Sequence, residues 1–386
     1  MILRPFWENR VRMAWKEAPI VWLSGVRRSG KTTLALNLNK PEQVLYVNCD
    51  LPVTQERLRD PELFFRSCEK PIVIFDEVHQ LKDPSRTLKI GADAFPHLRI
   101  LATGSSSLAA SKKFRDTLTG RKRPVHLLPA LWTELKAFSC LDISRRLLQG
   151  GLPPALLSDS KNPSLYREWL DSFFARDMQK LFSIRNMEKF NDFFEYVLRQ
   201  SGGQFEISKA AAALGISRIT VDYYLQAAEI AHALTRVRPF HGGGQKEIIK
   251  MPKVYGFDTG FVTFVRGWDT LRPEDHGILW EHLVLEYLLA QSPSKTIRYW
   301  RDKAGHEVDF VLSRGRDQVD AIECKWNHED FDPVALRKFR SFYPKGDNYL
   351  VCPLGGDSFL KQFGTTTVKI CDPTKIPCIY GQTSRP

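Results

Sequence analysis

Residues Gly25 to Thr32 read G-V-R-R-S-G-K-T, directly after the apolar run PIVWLS and opening a helical pattern from Lys31. Glycines at both ends of such a turn let successive backbone N–H groups face one anionic centre. Gly25, Val26, Arg27, Arg28, Ser29, Gly30, Lys31, Thr32 and Thr33 are therefore a candidate cradle for the phosphates of ATP. In it Lys31 reaches the β and γ oxygens and the Thr32 hydroxyl ligates magnesium. A second apolar run, PIVIFDE, ends in Asp76 and Glu77. Asp76 completes the magnesium shell and Glu77 polarises an attacking water, because phosphoanhydride hydrolysis needs positioning and charge more than covalent chemistry. The run LRILATGSSS brings Thr103, Ser105 and Ser106 to a strand end, where hydroxyls either sense a γ-phosphate or close a turn. In LTGRKR, Arg121 precedes a further strand. It is either a solvated basic residue or a cation offered to a neighbouring subunit's γ-phosphate.

A second constellation lies near the other end of the chain. EVDF at 307–310 and IECK at 322–325 place Asp309, Glu323 and Lys325 on consecutive strands. Two carboxylates, Asp309 and Glu323, can hold a divalent cation such as magnesium, while Lys325 orients or activates a water for attack on a phosphodiester. Glu281, between Trp280 and His282 on the preceding helical pattern, is the natural fourth polar group. An exposed, salt-bridged strand edge is the alternative reading. The arrangement is similar to the PD-(D/E)XK nuclease pattern, with Val308 in place of the proline, and that resemblance implies a restriction-endonuclease-like α/β domain.

These residues need elements to hold them. Up to about Leu131, short β-rich runs alternate with helical patterns, which predicts a parallel α/β sheet covered on both faces. A helical stretch follows to about Gln200, broken at Gly150, Gly151, Pro153 and Pro154. Next, ISKAAAALGISRITVDYYLQ predicts two short helices joined at Gly215, with Ser208 and Ser217 as N-caps. Ala210, Ala213, Leu214, Ile219, Val221, Tyr224 and Leu225 are its expected core. A basic hairpin around Gly242, Gly243 and Gly244, with His241, Lys246 and Lys250, completes a winged helix-turn-helix. Such a module binds DNA or a protein partner. The expected domains are 1–135, 136–200, 201–268 and 269–386.

The chain has 386 residues, and 43% apolar residues exclude global disorder. Its 56 Lys and Arg against 44 Asp and Glu give a net charge of +12, which suits a polyanionic partner such as DNA. Seven scattered cysteines without zinc-ligand spacing read as reduced thiols of a cytoplasmic protein. No apolar run approaches the roughly 20 residues needed to span a bilayer, so no membrane partner is expected. Tyr299, Trp300 and Trp326 read as core or rim rather than as a base-stacking platform.

GVRRSGKTTL, the Asp76–Glu77 pair, LATGSSS, LTGRKRPVHLLPALWTEL, GGLPPAL, YREWLDSFFARDMQKLF and KMPKVYGFDTGF together resemble the archaeal-type AAA+ ATPase family. The resemblance covers nearly the whole chain. It implies a P-loop AAA+ core over 1–135, a helical lid over 136–200, and a homo-oligomer, a ring being one form, with ATP sites between subunits. Three functions follow: an ATP- and magnesium-dependent enzyme that acts on DNA and cuts it at the C-terminal site; a translocation or branch-migration motor whose C-terminal domain holds DNA uncut; and a nucleotide-controlled, protein-binding switch.

Overall fold

The structure is a computed structural model that describes residues 2–104, 116–241, 251–292, 296–315 and 317–377. Ser105, Ser106, Gly242, Gly243, Gly244, Lys246, Lys250 and Cys378 lie outside the described residues. Two compact units emerge, the first comprising Met1–Pro129, Arg167–Arg185 and Ile230–Ala233, the second Ala130–Tyr166, Asn186–Glu229 and Leu234–Pro386. The helical stretch 136–200 thus gives only Arg167–Arg185 to the first unit.

In the first unit, β1 (Ile20–Ser24), β2 (Val44–Asn48), β3 (Ile72–Asp76), β4 (Arg99–Thr103) and β5 (Lys122–His126) form one sheet in the order β2-β3-β4-β1-β5. Every pairing is parallel. β1 and β3 are buried along their whole lengths, as strands covered on both faces must be. Trp22, Phe64, Phe65, Phe75 and Ile100 fill one layer of its core. The helix Pro84–Ala94 starts cleanly because Pro84 pre-sets the first helical φ and the Asp83 carboxylate accepts from Arg86 N–H at 3.0 Å. Because the strands run the same way, β1, β3 and β4 deliver their carboxyl ends, with the P-loop, Asp76 and Thr103, to one edge of the sheet.

The second unit is built on a mixed sheet of β6 (Leu234–Pro239), β7 (Lys253–Gly256), β8 (Ile297–Arg301), β9 (Glu307–Ser313), β10 (Val319–Cys324), β11 (Asn348–Val351), β12 (Phe359–Phe363) and β13 (Thr366–Cys371). Their order is β12-β13-β11-β10-β9-β8-β6-β7. β6 pairs antiparallel with β7, as a hairpin would, and also parallel with β8. One sheet therefore runs through the expected boundary at 268. The helix Asp275–Gln291 is buried on most of its surface, with Trp280, Leu283, Val284 and Leu288 inside.

The helix pair Ile207–Leu214 and Arg218–Ile230 turns at Gly215, whose φ of +63° suits glycine. Ser217 caps the second helix, accepting from Thr220 N–H at 3.0 Å. Ser208 does not cap the first; Glu206 holds the N-cap position, and Ser208 lies inside the helix donating to its carboxylate at 2.6 Å. Ile219 is 83% exposed and Ala213 is exposed, contrary to the expected core. The cause is the helix Met187–Arg199, whose Phe190 and Phe193 pack edge-on against Tyr224 and draw that face inward. Ile219 is five residues away and lies round the other side. No helix among the described residues is long and apolar enough to cross a membrane.

Candidate functional site

The turn after β1 has the tight glycine geometry expected of a P-loop. A Cβ on Gly25 would stand 2.5 Å from the Leu127 carbonyl oxygen, and Gly25 and Gly30 have φ of +150° and +93°, where side chains are strained. The buried Arg4 guanidinium braces the loop by donating to the carbonyls of Ser29, Leu128 and Pro129 at 3.1, 3.0 and 3.2 Å. Lys31 Nζ folds back onto the carbonyls of Gly25 and Val26 at 3.0 and 3.1 Å. Burial lowers the pKa of that ammonium, with Glu77 pulling the other way. The helix Lys31–Leu36 begins here and points its free N–H groups at the turn.

Asp76, at the end of β3, collects hydroxyls. Thr32 Oγ1 and the Tyr46 phenol each donate to its Oδ2 at 2.8 Å, and Thr103 Oγ1 donates to its Oδ1 at 2.5 Å. Thr103, fully buried, also accepts from Glu77 N–H at 3.0 Å, so one hydroxyl fixes both carboxylate residues. Glu77 sits at φ +54°, a strained value for a side-chain-bearing residue. His79 Nδ1 lies 3.2 Å from Glu77 Oε2, and this hydrogen bond, working against burial, holds the Glu77 carboxyl below its usual pKa. It is a carboxylate at neutral pH, the form that can orient a water. A hydroxyl and a carboxylate 2.8 Å apart form an oxygen donor set that fits magnesium.

Two further groups border this edge. Asp177, in the π-helical turn Phe174–Gln179, is ion-paired with Arg27, and Trp169 Nε1 donates to the Arg27 carbonyl at 3.0 Å. Gly25, Lys31, Glu77, His79, Trp169 and Asp177 share a cavity of about 30 Å³. Arg121 sits elsewhere: it precedes β5, at the end of the sheet away from the P-loop, and is ion-paired with Asp93 at 2.5 Å. His79, Trp169 and Asp177 had no motif to mark them. Trp169 and Asp177 had as their only sequence signal inclusion in YREWLDSFFARDMQKLF, a run that resembles a family; His79 had none.

In the second unit, Glu281, Asp309, Glu323 and Lys325 come together as one polar cluster. Three residues beyond the sequence reading join them. Lys253, the first residue of β7, places Nζ 2.9 Å from Glu281 Oε1, 2.6 Å from Glu307 Oε1 and 3.8 Å from Asp309 Oδ1. Tyr255 donates to Glu281 Oε1 at 2.5 Å. β7 and β9 are three strand spacings apart, roughly 14 Å in a flat sheet and beyond a lysine's reach, so the sheet curls to make this contact. Asp309 Oδ2 accepts from Cys324 N–H at 2.8 Å, while Glu323 is 5% exposed with Oε1 buried and lacking a hydrogen-bond partner. Burial and the neighbouring Glu281 push the Asp309 carboxyl up to about 6, and burial with Asp309 pushes Glu323 well above its usual range. Burial alone would depress the Lys253 ammonium, but Glu281, Asp309 and Glu307 hold it charged. This donor set, as placed, contains its own cation and in that arrangement does not fit a divalent metal. Among the described residues, no group of three or more His, Cys, Asp or Glu is disposed to hold a metal ion. Period-two alternation in EVDF puts Glu307 on the face of Asp309 and could have marked it, as K-V-Y could have paired Lys253 with Tyr255. Tyr299 and Trp300 are fully buried core residues.

Residues 17–136 match the family described as an AAA domain. Residues 141–272 and 276–370 match two families each described as a domain of unknown function. An uncharacterized protein of Mycobacterium tuberculosis is 28% identical over 311 residues, 78% of this chain and 69% of the relative. Another, from Methanocaldococcus jannaschii, is 24% identical over 321 residues, 75% of this chain and 70% of the relative. Among solved structures, the Walker-type ATPase of Pyrococcus abyssi is similar with a TM-score of 0.45 at 14% identity, covering 69% of this chain and 96% of that one. The chain thus contains a P-loop ATPase domain of the AAA type, joined to a second unit on a mixed sheet.

Proposed function

We propose that this protein is a magnesium-dependent ATPase that works on DNA as a homo-oligomer, and that its second unit holds DNA without cutting it. The observation that carries the ATPase reading is the hydroxyl-to-carboxylate network Thr32–Asp76–Thr103–Glu77 at the edge of the P-loop. Thr32 and Asp76 would hold the magnesium ion, which neutralises charge on the β- and γ-phosphates. The N–H groups of residues 25–33 receive the phosphate oxygens, and Lys31 exchanges the carbonyls of Gly25 and Val26 for them. Glu77, kept ionised by His79 and aimed by Thr103, orients the attacking water. Arg121 is the residue that would reach a neighbouring subunit's γ-phosphate, since it cannot serve its own. The DNA reading rests on the net charge of +12 and on the exposed start of the helix Arg218–Ile230, which presents Arg218, Ile219 and Tyr223.

The test is ATP hydrolysis with single-stranded, duplex and branched DNA. Lys31→Ala should abolish nucleotide binding, whereas Glu77→Gln should retain it and lose hydrolysis by a factor on the order of 10²–10⁴. A Glu77→Gln protein with unchanged turnover would remove Glu77 from the water-orienting role. Absence of any DNA affinity that weakens with salt would remove the DNA reading and leave the protein-binding switch. A second reading, magnesium-dependent cleavage, is suggested by the convergence of Glu281, Asp309, Glu323 and Lys325, but would need Lys253 to leave their carboxylates first; cleavage lost on changing Glu323 and Lys325 to Ala would establish it.

A further inference from the structure

We infer that the Lys253 ammonium stands where a carboxylate pattern of this kind would hold a divalent cation, so that the second unit's cluster is complete without a metal. Three carboxylates from two elements close on one point charge: Glu281 from the helix Asp275–Gln291, and Glu307 and Asp309 from β9, at 2.9, 2.6 and 3.8 Å. The lysine side chain is 4% exposed, so this is an interior position rather than a surface pair. The remaining acceptors are largely committed. Glu307 Oε2 takes Arg301 at 2.8 Å, Glu281 Oε1 also takes Tyr255 at 2.5 Å, and Asp309 Oδ2 takes a backbone N–H. Glu323 Oε1 is buried and without a hydrogen-bond partner.

Charge bookkeeping agrees. Four carboxylates face three cations, Lys253, Lys325 and Arg301, leaving one negative charge if all ionise. Burial and mutual repulsion push both the Glu323 and the Asp309 carboxyls above their usual range, which works against that excess. A divalent ion would bring two positive charges to a set that lacks at most one. With every carboxylate ionised, removing Lys253 leaves two negative charges in excess, the charge of one such ion. Lysine and metal are thus alternatives at one point in space, and the chain supplies the lysine covalently from β7, the second strand after the helix pair.

A second unit that holds DNA uncut would follow from a cluster so filled, and the two ideas fail separately, because metal binding is measured without DNA or ATP. The probe is Mn²⁺ alone, titrated calorimetrically into the full chain carrying Asp76→Asn, which removes the carboxylate of the first unit's cation site. This parent should show no saturable Mn²⁺ binding at millimolar concentrations. Lys253→Met on the same background should gain one site, at least about tenfold tighter than any in the parent, and Mn²⁺ should raise its Tm while leaving the parent's unmoved. Adding Asp309→Asn should erase both gains. A parent that binds one Mn²⁺ ion, and loses it on Asp309→Asn or Glu323→Gln, overturns the inference. So does a folded Lys253→Met protein that gains no site. Should that variant fail to fold, Lys253→Gln replaces it, and the parent titration decides on its own.

Discussion

The two carboxylate centres of this chain sit at the ends of strands in separate sheets, yet they are neutralised in opposite ways. Asp76 is surrounded by hydroxyls, from Thr32, Tyr46 and Thr103, while Asp309 and its neighbours surround an ammonium. A hydroxyl stabilises a carboxylate without cancelling its charge, and on the proposed reading the Thr32 hydroxyl can turn to become a metal ligand itself. An ammonium cancels the charge and occupies the space. On the proposed reading the first centre would receive a cation with its nucleotide; the second already has one attached to the backbone.

Four measurements sharpen or break that contrast. The largest effect should come from Lys253→Met without added metal, which leaves buried carboxylates unpaired and should cost about 3–5 kcal/mol in urea denaturation. Asp76→Asn should cost far less, because its hydroxyl partners serve an amide oxygen as well; equal losses would mean that the two centres are neutralised alike.

Next is pH. His282, beside the second cluster, donates Nδ1–H to the Ile278 carbonyl at 2.7 Å and accepts at Nε2 from Ser201, whose Oγ in turn accepts from Gly256 N–H. Every position suits the neutral ring, and burial lowers its pKa from 6.5 to about 4. The unfolded chain therefore binds the proton first as pH falls, and stability declines between roughly pH 6.5 and 4, by about 3 kcal/mol from this ring. Asp309, pushed up to about 6, acts with the opposite sign, favouring the fold as pH falls through that value. His282→Gln should flatten the decline seen in denaturation midpoints; an unaltered slope would place the proton elsewhere.

Thr103→Val should then lower the rate of hydrolysis roughly 10–100-fold with nucleotide affinity little changed, since it strips a donor from Asp76 and an acceptor from Glu77 N–H. A loss confined to affinity would recast Thr103 as a binding residue. The smallest effect is Ile219→Ser. With 83% of the side chain in water, stability should change by less than about 0.5 kcal/mol, and any larger consequence should appear as weaker DNA binding.

Much of the first centre was readable without coordinates, because a P-loop is local. Gly25, Gly30, Lys31 and Thr32 act through one turn of backbone, and the strand that feeds it announces itself by apolar residues. Thr103 was legible as a site residue but its task was not: only the neighbouring placement of β3 and β4 shows its hydroxyl shared between Asp76 and Glu77. His79 and Asp177 were silent, since a histidine or an aspartate carries no meaning until a particular partner stands beside it. In the helix pair the turn at Gly215 followed from its type, whereas Ile219 was misplaced because the burying face was chosen by Phe190 and Phe193 of another helix.

By itself the sequence determined the chemistry that neighbouring residues can do together: the phosphate turn, the paired acids at the end of β3, and the carboxylates and lysine of EVDF and IECK. Only the tertiary structure decided how each acid is neutralised. Electrostatic partnership depends on separations of a few ångströms, and Lys253 lies 28 residues from Glu281 and more than 50 from Glu307, brought to them by the curl of a sheet rather than by anything in the local chain.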